Sequence, residues 1–278
     1  MYSIIVKQNI NSTDPIVEYF LRSEKKEDEN WEYYKMGIIE HLLENAKGNF
    51  DKIEFENTMN LKENYQKILI KKNADNDSDI FNISPALNVF KENQYIDKLY
   101  FYLSISDSSS FISTGSEFAD FIIESFDNNL KEQVAIQMNI FDAISSMNLY
   151  SSDSIATYEK KNYKINRSNL EAREVNKFLN RTSEYLNLIS WNCYIYTTNS
   201  VILNRALRWS EFAISIFPTI DNIHTYSHIL FTIGYKNKAI KYQKKALKLA
   251  RNSSDSISRV DKLNAELIQF KSSKSIGK

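Results

Sequence analysis

Along most of this chain apolar residues return every three or four positions, the spacing that lays them on one face of a helix. Tyr34, Ile38, Leu42 and Leu43 form such a stripe between Trp31 and Lys47, with Gly48 placed to end it. Asp14-Pro15 and Ser84-Pro85 each pair an N-cap residue with a proline suited to a first helical turn. Further stripes predict helices over 61–72, 95–105, 117–126 and 130–147. The Ser-rich run SDSSSFISTGS reads as a loop, with Ser116 as the cap of the helix that follows. After residue 169 the pattern sharpens into helices over 170–196, 200–217, 221–233, 236–251 and 255–271. Their short connections favour antiparallel neighbours. The softer stretch YSSDSIATYEKKNYKINRSN interrupts the pattern. The expected organisation is therefore an N-terminal helical region over 1–150, a linker over 151–169, and helical repeats with a C-terminal capping helix over 170–278.

Composition supports the helical reading. The 278 residues include only 5 Gly and 3 Pro, where average usage gives about 19 and about 14. Sheets and loop-rich folds need those residues for tight turns, and helical arrays need few. The expected class is all-α, built of stacked antiparallel helical hairpins. Net charge is zero but unevenly spread: from Thr232 to Lys278 there are 12 Lys/Arg against 3 Asp/Glu, a balance of +9. The single cysteine, Cys193, excludes an intrachain disulfide, a CxxC redox pair and a Cys-rich zinc site, and its apolar neighbours mark it as an inert buried thiol. No apolar run reaches the roughly 18–20 residues of a membrane span, and the first residues lack the pattern of an export signal.

The segment RALRWSEFAISIFP (205–218) repeats as KAIKYQKKALKLAR (238–251), 33 residues later. Ala206 aligns with Ala239, Trp209 with Tyr242, and Ala213 with Ala246. The alanines share a face that lets a neighbouring helix approach closely, and the aromatic fills the space beside them. Gly234 supplies the turn in the second hairpin. These residues resemble the tetratricopeptide repeat, a 33–34-residue helical hairpin. Gln243 departs from that pattern where an aromatic would be usual, Arg251 replaces the closing proline, and Asn199-Ser200-Val201 replaces the turn glycine of the first hairpin. The resemblance implies an α-solenoid whose first helices face a partner. More loosely, NSTDPIVEYFLRSEKKEDENWEYYKMGIIEHLLENA and the stretch from LISWNCYIY to KYQKKAL resemble the helical C-terminal tail of certain bacterial thioredoxin-family proteins. The thioredoxin domain itself has no counterpart here, and no catalytic residue is carried over.

Asp221, His224 and His228 lie at i, i+3 and i+7, and Phe231 extends the stripe. Two histidines one turn apart can chelate a metal, with Asp221 as a third ligand. With no HExxH pattern and no fourth ligand in view, the four residues are read as candidate partner contacts, the alternative being ordinary solvated side chains. The Lys and Asn of the carboxylate clamp found in some chaperone-associated repeats are missing. Lys238, Lys241, Lys245 and Lys248 make a basic stripe beside Tyr235 and Tyr242, which would give nucleic-acid binding a steep salt dependence. Lysines at these positions are more simply a solvated face. Asp75, Asp77 and Asp79 imitate the start of a calcium loop, but Ile80 and Ala86 stand where Gly and a bidentate Glu are needed. His41 is isolated. No Gly-rich phosphate loop, GxSxG elbow or spaced carboxylate pair is present.

The expected function is that of a non-enzymatic scaffold binding a protein or peptide partner, with no cofactor and no metal. Its alternatives are the detached accessory tail of a thioredoxin-like oxidoreductase and, more remotely, a nucleic-acid binder. The expected location is the cytoplasm, or the periplasm if the chain is part of an exported thioredoxin-family protein.

Overall fold

The computed structural model describes residues 52–75, 83–147, 153–253 and 256–272, and every regular element among them is an α-helix. In chain order these are α1 (Lys52–Asp75), α2 (Ile83–Ser104), α3 (Ser108–Met147), α4 (Asp153–Tyr196), α5 (Ser200–Ile216), α6 (Ile220–Thr232), α7 (Lys236–Asn252) and α8 (Ile257–Ser272). The all-α class is thus the observed one. The helices expected before residue 51, with His41, lie outside the described residues, as do Asp77 and Asp79. No described helix is long and apolar enough to cross a membrane.

Two elements run longer than their sequences suggest. The Ser-rich run 106–116 is not a loop: α3 begins at Ser108 and continues for 40 residues. Serine weakens a helix because its hydroxyl competes for backbone groups, but here Asp107 captures the start. Its Oδ1 accepts the Ser110 N–H at 3.0 Å and the Ser109 hydroxyl at 2.8 Å. Phe111, Phe118, Ala119 and Ile122 are then buried along the helix, and that burial outweighs the weak local preference. Likewise, residues 153–169 of the expected linker are the first turns of α4.

The chain divides into two compact units, Met1–Phe111 and Ile112–Lys278. In the first unit, α1 packs on α2 through Phe55, which stacks on Phe101 at 3.7 Å and meets Tyr102 edge-on. Lys52 Nζ donates to Asp107 Oδ2 at 2.7 Å, and Lys62 Nζ to Asp97 at 2.9 Å. The Lys52 ammonium and the donors of Ser109 and Ser110 hold the Asp107 carboxyl well below the usual carboxylate range.

In the second unit, α4 packs on α5 and on α6, α5 on α6, α6 on α7, and α7 on α8. Connections of three or four residues force each helix to turn back on the last. Each turn has a local cause. Asn199 Oδ1 accepts the amides of Val201 and Ile202 at the start of α5, and Thr219 Oγ1 accepts that of Asn222 at the start of α6. Gly234, at φ 95°, ends α6. Its N–H bonds to the Phe231 carbonyl while Tyr235 N–H reaches the Leu230 carbonyl, the paired bonds of a Schellman cap.

Ala206, Ala213, Ala239 and Ala246 are all fully buried, Trp209 is buried and Tyr242 half-buried. The Ala206 carbonyl accepts the Ser190 hydroxyl from α4 at 3.2 Å. A side chain that small lets a neighbouring hydroxyl reach the backbone of α5. Trp209 also finds a polar partner that lies far away in sequence: its Nε1 donates to Asp120 Oδ1 at 2.8 Å, and Arg205 donates to Asp120 Oδ2 at 2.6 Å.

Cys193 is fully buried in α4, and burial pushes its thiol up to about 12 against a small opposing effect of Arg205. Such a thiol is ionised at roughly one part in 10⁴ near pH 8. The native protein is therefore expected to resist thiol alkylation at that pH and to react once unfolded by denaturant. Prompt labelling of the native chain would show that the thiol is reached by solvent.

Candidate functional site

The apolar stripe of α6 faces α7 and α8 through Ile223, Tyr226 and Leu230. The helical period then turns His224 and His228 about one residue aside, toward α4 and α8. Trp191 and Tyr194 come from the last turns of α4, and Glu266 and Phe270 from α8. The rings form a continuous set. The histidines lie 4.4 Å apart between centroids, Trp191 lies 5.5 Å from His224, and Tyr194 and Phe270 lie 5.3 and 5.1 Å from His228.

Glu266 is the polar centre of this set. Its Oε2 is 2.7 Å from His224 Nε2 and 3.5 Å from His228 Nε2. Gln243 of α7, fully buried, donates to the same oxygen at 3.0 Å and to the Leu263 carbonyl at 3.2 Å. Ser227 lies 2.6 Å from Gln243 Oε1, and the two acceptors facing Nε2 fix which way the amide points. His228 Nδ1 lies 3.2 Å from the Tyr194 hydroxyl. Its Nε2 is buried and makes no hydrogen bond, the Glu266 oxygen standing at the limit of reach.

The charge state follows from the contacts. Burial by itself would raise the Glu266 carboxyl. The two histidines beside it prevail and hold it well below the usual carboxylate range, so it is an anion at neutral pH. Burial and that anion together raise the Tyr194 hydroxyl, which stays protonated. A half-buried carboxylate between two imidazoles and a fixed amide donor can bind a cation, hold a proton, or orient a hydrogen-bonding ligand.

Of the four stripe residues expected to meet a partner, His224 and His228 come together. Phe231 joins them indirectly, stacked on Phe270 at 4.3 Å. Asp221 does not: its carboxylate bonds to Arg259 of α8. Asp221, the carboxylate nearest the histidines along the chain, is therefore not the one beside them; Glu266, 42 positions from His224, is. Sequence reasoning also missed Trp191, Tyr194 and Gln243. The signal for Gln243 was present, since it breaks the repeat pattern where an aromatic would be usual. Its amide makes hydrogen bonds that a ring could not.

The basic stripe of α7 stays on the surface. Lys241, Lys245 and Lys248 are exposed, while Lys238 lies 3.6 Å from Glu211 and over the Tyr226 ring. Comparison with models of known families, with curated proteins and with solved structures returned no match.

Proposed function

We propose that the protein is a helical-repeat scaffold that takes a protein or peptide partner on the face formed by α4, α6 and α8. One observation carries this reading: Trp191, Tyr194, His224, His228 and Phe231 converge from two helices, each part-exposed, and α8 backs them with Phe270 and Glu266. Such a surface combines large apolar area at low entropic cost with polar atoms that select orientation, the composition of interface anchor residues. Repetition of the Ala206/Ala213 and Ala239/Ala246 pairs, all fully buried, supports a tetratricopeptide-like stacking of the hairpins that would present first helices side by side.

The test is site-specific photocrosslinking in the native cell extract. A photoreactive side chain at Tyr194 or Phe231 is expected to give one discrete adduct, absent when the same group stands at Lys241, exposed on α7. Equal or absent adducts at the two kinds of position would refute the face.

A further inference from the structure

The geometry points to a divalent transition-metal site at His224 Nε2, His228 Nε2 and Glu266 Oε2, of the class that takes zinc, cobalt or nickel. It uses side chains of the face proposed above but does not depend on a partner binding there. The three ligand atoms lie within 4.8 Å of one another. Ligands held at about 2.0–2.2 Å around a tetrahedral ion stand about 3.3–3.6 Å apart. The pair His228 and Glu266 already meets that spacing at 3.5 Å. The pair His224 and Glu266, hydrogen-bonded at 2.7 Å, would open by about 0.7 Å as the ion replaces the shared proton.

Three further features fit a metal. His228 Nε2 is buried without a hydrogen bond, a cost that a coordinate bond removes. Tyr194 stands at Nδ1 of the same ring, where its hydroxyl oxygen can accept an Nδ1 proton, the tautomer that a metal bound at Nε2 requires. Gln243 occupies one lone pair of Glu266 Oε2, and the ion would take the other, which now meets His224; the Leu263 carbonyl and Glu266 hold the Gln243 amide in that orientation. The ligand side chains are 12%, 12% and 16% exposed, so the fourth position is within reach of water. Two imidazoles and one carboxylate suit zinc and its neighbours, whereas magnesium and calcium prefer all-oxygen sites.

The full chain, stripped of metal with chelator, is titrated with Co²⁺ and followed by visible absorption. One equivalent is expected to produce the intense d–d bands of a four-coordinate ion, displaced by Zn²⁺. H228A and E266Q are expected to lose these bands, and Gln243→Leu to weaken binding by about 10–100-fold. D221N is expected to bind as the unaltered chain does. Helicity by circular dichroism accompanies each variant. Should a ligand variant unfold, the unaltered chain decides the matter: Co²⁺ is expected to broaden the ring signals of two of its three histidines. Absence of bands at one equivalent, broadening of no histidine pair, or bands that persist in folded H228A and E266Q would overturn the site.

Discussion

Trp209→Ala is expected to destabilise the second unit by about 3–5 kcal/mol, the range for removing a large aromatic from a packed interior. Trp209 is 1% exposed and sits where α5 meets α3 through Asp120. Two costs are combined in that figure. The ring leaves a cavity that neighbouring helices cannot fully close, and the Asp120 carboxylate loses the indole donor at 2.8 Å. Trp209→Phe comes closer to isolating the second, since it keeps an aromatic ring and removes the N–H with only part of the indole's bulk. Its expected cost is about 1–2 kcal/mol, because Asp120, 43% exposed, can take water in place of the indole donor and still pairs with Arg205. Denaturant unfolding followed by circular dichroism at 222 nm measures both. A loss under about 1 kcal/mol for the alanine variant would mean the ring does not belong to the core.

Gln243→Leu keeps the side chain's volume and deletes its amide, and it is expected to cost about 2–3 kcal/mol. Leucine is the better residue by hydrophobic reckoning, and the resemblance to helical repeats favours a large apolar side chain there. The contacts around Gln243 reverse that preference. The amide donates to Leu263 and Glu266 and lies 2.6 Å from the Ser227 hydroxyl at a fully buried position. Deletion leaves the buried Leu263 carbonyl without its donor and the half-buried Glu266 carboxylate with one donor fewer, and an unmet buried group costs more than a made hydrogen bond gains. Thermal and denaturant unfolding check the stability. A variant as stable as the original would show that the network adds nothing to the fold.

The helices were largely readable because their causes are local. The stripes that predict helices over 200–217, 221–233 and 236–251 meet α5, α6 and α7 within about a residue, which is the ordinary uncertainty of helix ends. Caps at Asn199 and Thr219 and the turn at Gly234 act within five residues of where they stand. The misreading of the Ser-rich run has a physical origin. Residues 108–116 look like a loop by propensity, yet α3 runs on through them. Propensity is worth tenths of a kcal/mol per residue, and burial of Phe111 and Phe118 is worth more.

The candidate site divides the same way. His224 and His228 share a helix face by spacing alone, so the sequence could pair them. It could not choose their carboxylate. Asp221 was nearer along the chain, and Arg259 drew it off; Glu266 entered because α8 packs back on α7 and lays its polar edge against α6. Helical period and small-residue spacing were determined by the sequence, because they depend on neighbours a few positions away. Which charged group closes the cluster was decided only when helices 40 residues apart came into contact, because a Coulombic or hydrogen-bonded partner acts through space and leaves no periodic trace in the chain.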